Sequence, residues 1–135
     1  MKKDNFPLAY RWFLAKGLTN WQPWYFVDTD ATAQDGPDFA SNQFATTAFQ
    51  LETGADFDVY LFARRQDMDD FAFFVIRDGK IEDKVVSIHL SFARRLELSN
   101  PLRYDQISQG FTQWLRESVL ADVGDWMSEE DMYDE

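Results

Sequence analysis

The stretch FDVYLFARRQDMDDFAFFVIRDGKIEDKVVSIHLSF, residues 57 to 92, decides the fold. It contains three segments rich in β-branched and aromatic residues: FDVYLFA at 57–63, DFAFFVI at 70–76 and KVVSIHLSF at 84–92. Each has the length of a strand, and such side chains suit a pleated, half-buried surface. Asp78-Gly79 is a hairpin pair, because both residues accept the positive φ that a tight turn between antiparallel strands demands. The KIEDK that follows allows a longer connection. Links this short exclude a parallel crossover, which needs a dozen or more residues, so the centre of the chain is expected to be an antiparallel meander.

Outward from that centre the pattern becomes helical. FPLAYRWFLAKG (6–17) reads as an opening helix, with Pro7 at the first helical position and Gly17 just past the last turn. Tyr10, Phe13 and Leu14 fall on one face of it. Pro23 cannot continue a helix, and Trp24 to Val27 favour an extended segment. DTDATAQDGPDFA reads as a loop. Residues 38–53 fit a helix with Asp38 as N-cap, Gly54 as stop and Ala40, Phe44, Ala48 and Leu51 as the apolar stripe. The alternation Thr47, Phe49, Leu51 would also suit a strand; helix is the preferred reading.

Residues 105–123 carry the clearest stripe, Ile107, Phe111, Trp114, Leu115 and Val119, with Asp105 as a capping residue. An acidic tail follows from about residue 124. FARR occurs at 62–65 and again at 92–95 without any longer period, so it is not a structural repeat. The expectation is one α+β domain over residues 1–135, an antiparallel sheet with N-terminal, middle and C-terminal helices.

Composition bounds the function. The chain has 135 residues, 17% of them aromatic, so it can bury one core and is not intrinsically disordered over most of its length. It contains no cysteine, which excludes disulfides and thiolate metal sites and fits a reducing compartment. Two lysines open the sequence, but Asp4, Arg11 and Lys16 interrupt any apolar signal segment, and a cytoplasmic location is expected. Thirteen basic and 24 acidic residues give a formal net charge of −11. The charges are segregated: residues 17–63 hold seven acids and no Lys or Arg, and residues 122–135 hold seven more acids and again no base. Nucleic acid and anionic membrane surfaces would be repelled, and a basic protein partner attracted.

No constellation for chemistry emerges. A nucleophilic triad needs a base near its nucleophile, and the one histidine, His89, falls on the polar side of VVSIHLSF with Ser87 and Ser91. One histidine without cysteine leaves too few ligands for zinc. Counted from Asp67, the calcium-loop positions 5, 6 and 12 fall on Phe71, Ala72 and Asp78, where an oxygen ligand, Gly and Glu are needed. No glycine-rich phosphate loop is present. The expectation is a non-enzyme without cofactor or metal. QDMDD is then either a polar turn between strands, with Arg64 and Arg65 offsetting its charge, or a charged face for a partner.

Several stretches together resemble SMI1/KNR4 (SUKH superfamily) domains. Pro7, Tyr10, Phe13, Leu14 and Gly17 match the opening helix of that family, and Pro23 to Asp28 match the aromatic segment after it. Phe62, Ala63, Arg65, Asp67, Asp69, Asp70, Ala72 and Phe74 match its strand–turn–strand, and FTQWLRESV is similar to its closing helix. The resemblance implies a curved sheet with helices beside it and no catalytic machinery. It further implies a bacterial immunity protein that binds and neutralises a cognate polymorphic toxin domain, such as a basic nuclease. The alternative it implies is an interaction scaffold without a toxin partner. An acidic protein can occupy the basic surface with which a nuclease holds its substrate. The partner-binding residues expected on that reading are the turn acids Asp67, Asp69 and Asp70, the loop acids Asp28 and Asp30, and Trp21 as an anchor. Trp24 and Trp114 are expected in the core.

Overall fold

The structure, a computed structural model, describes residues 6–21, 23–28, 33–65, 70–89 and 110–126. In chain order it comprises α1 (Leu8–Ala15), β1 (Trp24–Phe26), α2 (Phe39–Thr53), β2 (Asp58–Arg65), β3 (Asp70–Arg77) and β4 (Lys80–His89). A C-terminal helix closes it, built from α3 (Phe111–Trp114), a π-helical stretch (Leu115–Val119) and α4 (Leu120–Trp126). The strands form one open sheet in the order β1-β2-β3-β4, every pair antiparallel. The expected α+β architecture with three helical regions is the one found.

The β3–β4 hairpin turns on two residues only. Arg77 pairs with Lys80, while Asp78 and Gly79 take φ of 51° and 73°. Strand β4 therefore begins at Lys80, directly after the turn, and KIEDK does not lengthen the connection. The other strand boundary moves in the opposite sense: β2 continues through Arg64 and Arg65, which lie on the strand rather than in the turn.

Strands β2 and β3 are buried along both faces, which is why DVYLFA and FAFFVI read as continuous apolar runs. On one face Phe62 stacks on Phe74 at 4.0 Å, and Tyr10 of α1 and Phe111 of α3 meet Phe62 edge-on at 5.3 and 5.8 Å. Phe13 reaches Phe26 at 4.9 Å, and Trp114 reaches Trp24 at 5.1 Å, so both of these tryptophans are core residues as expected. On the opposite face Phe49 of α2 packs against Phe73 at 5.3 Å. The result is three layers, with α1 and the C-terminal helix on one side of the sheet and α2 on the other. The register shifts between Leu61 and Ala63 and again between Phe74 and Ile76, each a local bend in the strand.

Helix α1 ends in a Schellman arrangement. Gly17 has φ 68°, its N–H donates to the Leu14 carbonyl at 3.0 Å, and Leu18 N–H donates to Phe13 at 3.2 Å. Pro7, expected at the first helical position, is instead the N-cap, extended at φ −53° and ψ 148°, so the helix begins one residue later, at Leu8. Helix α2 starts after Asp38 and stops at Gly54 (φ 66°), but its inward stripe is rotated from the expected one. Ala45, Ala48, Phe49 and Glu52 are buried, whereas Phe44 and Leu51 are 65% and 54% exposed. The physical reason lies in Asn42, whose Oδ1 accepts the Leu61 N–H at 3.0 Å beside the bulge. A polar residue on the sheet side fixes the rotation, and the apolar stripe of Phe44 and Leu51 turns outward.

The C-terminal helix begins at Phe111, with Gly110 as its N-cap. The expected Asp105 and Ile107 lie outside the described residues. Asp83 of β4 takes over the capping role, accepting the Phe111 N–H at 2.8 Å. Phe111, Trp114 and Val119 are buried as expected, with a π-helical stretch between Trp114 and Leu120.

Candidate functional site

The cross-strand row Tyr25–Arg64–Phe71–Ile88 crosses all four strands and gives a ruler for placing the expected residues. Asp70 lies one position beyond that row, opposite His89, with its Oδ1 2.6 Å from His89 Nδ1. His89 is exposed, as its place on the polar side of the strand requires. Asp28 lies the other way along β1, exposed, just after Val27, whose N–H donates to the Phe62 carbonyl at 2.8 Å. The two acids are separated by about 13 Å along the strands and about 10 Å across them. They do not form one cluster, although an interface of about 800 Å² per partner spans both.

Trp21 is half-buried against the core, forms an isolated bridge with Trp24, and donates its indole N–H to the Leu18 carbonyl at 2.5 Å. It is more exposed than Trp24, as expected. Asp30, Asp67 and Asp69 lie outside the described residues. Asp56 and Asp58 are exposed at the start of β2, toward the same end of the sheet as Asp28. Asp28, Asp56 and Asp58 are thus exposed toward one end of the sheet, and the half-buried Asp70 lies toward the other.

Between them is a group that sequence reasoning missed. Arg64 lies over the Tyr25 ring at 5.1 Å, and the Tyr25 hydroxyl donates to Asp38 Oδ1 at 3.4 Å. Asp38, read as a helix cap, makes no side-chain cap bond and is buried beside β1 instead. Burial raises the Tyr25 pKa above its ordinary 10.0, and the charges of Asp38 and Asp28 and the bond to Asp38 raise it further; Arg64 opposes them. The alternation of WYFV places Tyr25 opposite Trp24 and Phe26, a signal that it lies on the α2 side of the sheet, but its partners come from distant segments. Arg65 pairs with Asp122 at 3.6 Å, and Asp122 also accepts the Trp24 indole N–H at 2.8 Å, pinning α4 to β1 and β2.

Along α2 a groove of about 480 Å³ is lined by Ala40, Gln43, Phe44, Thr47 and Leu51 of the outward stripe, with the buried Ala48 and Glu52 at its floor. Its volume is that of a site for a few side chains or a small ligand. Among the described residues, no group of three or more His, Asp or Glu side chains is placed to share a metal ion. No helix among them is long and apolar enough to cross a membrane. The chain was compared with protein-family models, with curated proteins and with solved structures, and none of the three gives a match.

Proposed function

We propose that this chain is a non-catalytic binding protein of the SMI1/KNR4 (SUKH) type, an immunity protein that neutralises a cognate toxin domain through a basic surface on it. The observation that carries the reading is charge segregation: residues 17–63 hold seven acids and no Lys or Arg. Of these, Asp28, Asp35, Asp56 and Asp58 are exposed. A field of one sign speeds encounter with a basic partner, and half-buried aromatic side chains such as Trp21 and Tyr25 set how slowly it leaves.

The test is growth rescue. The toxic domain encoded beside this gene is expressed with and without the chain, and the two are co-purified. Rescue with a stable complex is expected. Toxicity unchanged and no complex would overturn the proposal and leave an interaction scaffold as the reading. Two sets of substitutions then locate the face: Asp28, Asp56 and Asp58 to Asn, and Asp67, Asp69 and Asp70 to Asn. At least one set is expected to weaken the complex by more than ~1.4 kcal/mol, a factor of ten, with little change in melting temperature. Full affinity in both would refute acidic recognition.

A further inference from the structure

The outer face of α1 has the opposite character to the rest of the chain. Leu8 and Trp12, one helical turn apart, are 72% and 56% exposed, and Leu18 just beyond the helix is 41% exposed. Lys16 extends over the Trp12 ring at 5.8 Å, and Arg11 is held on the same helix by a bond from its Nε to the Phe6 carbonyl at 2.9 Å. Helix α1 carries no acid. Residues 1–16 hold four bases (Lys2, Lys3, Arg11, Lys16) against one acid, Asp4, in a chain whose net charge is −11. An exposed tryptophan beside cations, on a protein otherwise acidic, is a surface whose complement is acidic and partly apolar.

The chain supplies such a complement. Residues 127–135, MSEEDMYDE, hold five acids and no base, interspersed with Met127, Met132 and Tyr133. They follow α4, which is fixed near α1: Asp122 is bonded to Trp24, Trp24 bridges to Trp21, and the Trp21 indole is bonded to Leu18 at the end of α1. Nine residues reach at most about 30 Å, and the eight-residue α1 is about 12 Å long. We propose that the exposed face of α1 is a docking surface for the chain's own acidic terminus, residues 127–135, through Lys16, Arg11 and the apolar pair Leu8 and Trp12. A tethered segment meets this face at an effective concentration on the order of millimolar, so contacts too weak to hold a free peptide suffice. The inference does not depend on the toxin reading.

Zero-length carbodiimide coupling of the full chain tests it, since that reagent joins an amine only to a carboxylate in contact with it. The monomer is isolated, digested and analysed by mass spectrometry. Lys16 is expected to couple within one chain to an acid among residues 127–135. The yield should fall at least threefold in Trp12→Ser, which keeps Lys16, and again in 0.5 M salt, where screening shortens to about 4 Å. Trp12 is largely exposed, so the variant should melt with the parent. No coupling of Lys16 to that segment would overturn the proposal. So would an equal yield in Trp12→Ser, which would mean tethering without docking. Coupling found only between two copies would assign the face to a second chain and overturn it as well.

Discussion

Tyr10→Phe is the substitution whose effect the structure fixes best. The Tyr10 hydroxyl lies 2.5 Å from the Val27 carbonyl, to which it donates, and 3.1 Å from the Phe62 carbonyl. Phe62 also accepts the Val27 N–H, so losing the hydroxyl leaves Val27 as the carbonyl without its buried donor. The ring contacts are untouched, with Phe6 at 4.9 Å and Phe111 at 5.0 Å. The cost is therefore that of one unsatisfied buried acceptor, about 1–3 kcal/mol. For a chain of this size that is a melting temperature lower by roughly 4 °C per kcal/mol. Urea unfolding should show a lower midpoint at unchanged slope, because the surface exposed on unfolding does not change. A Tyr10→Phe variant within 0.5 kcal/mol of the parent would refute the assignment of Tyr10 as the tie between α1, β1 and β2.

The same hydroxyl makes a second, independent demand. Burial first, and then the charge of Asp28, hold the Tyr10 pKa well above its ordinary 10.0. A raised pKa means that the folded state keeps a proton the unfolded state releases. Stability from this source is complete below about pH 10 and is lost as pH rises toward the folded pKa, by at most about 1.4 kcal/mol per pH unit. Tyr10→Phe lacks that loss. Its deficit against the parent should thus be largest at pH 8 and should narrow at pH 11; a constant deficit across that range would contradict the linkage.

Three further substitutions test the joints of the fold by urea unfolding. Asp122→Ala removes the acceptor of the Trp24 indole and the partner of Arg65, and should cost about 1–3 kcal/mol, whereas Asp122→Asn keeps an acceptor and should cost less. Asn42→Ala strips the Leu61 N–H of its partner, again about 1–3 kcal/mol, while Asn42→Asp retains the acceptor. Gly54→Ala forces a Cβ into φ 66° and should cost about 1 kcal/mol, though nothing lies close enough to clash.

What the sequence disclosed and what it hid follow from range. The hairpin at Asp78-Gly79, the stop at Gly17 and the meander depend on residues within a few positions of each other, and all could be read directly. The buried tryptophans were legible because Trp114 falls on a single unbroken stripe. The Tyr25–Arg64–Asp38 group was not, because it joins β1, β2 and the start of α2, and no local pattern reports that β2 extends through Arg64. Likewise Asp83 replaces a local cap for the C-terminal helix from 28 residues away.

Helix α2 shows the limit most clearly, because it offers two stripes at helical spacing. Ala40, Phe44, Ala48 and Leu51 are the more apolar set, whereas Asn42, Ala45, Phe49 and Glu52 include a polar amide and a carboxylate. Burial of charged and amide groups is rare, so periodicity favours the first set. Yet the bulge in β2 presents an N–H that needs an acceptor, and an unsatisfied donor there would cost about 1–3 kcal/mol, as much as burying one more aliphatic side chain gains. Asn42 meets that N–H, and the helix turns its polar stripe to the sheet. Two consequences separate cleanly. The fold is held by aromatic contacts and by the side-chain acceptors Asn42, Asp83 and Asp122, whereas the exposed acids Asp28, Asp56 and Asp58 take part in none of the core packing. Substituting those acids therefore probes recognition without disturbing the fold, and substituting the three acceptors does the reverse.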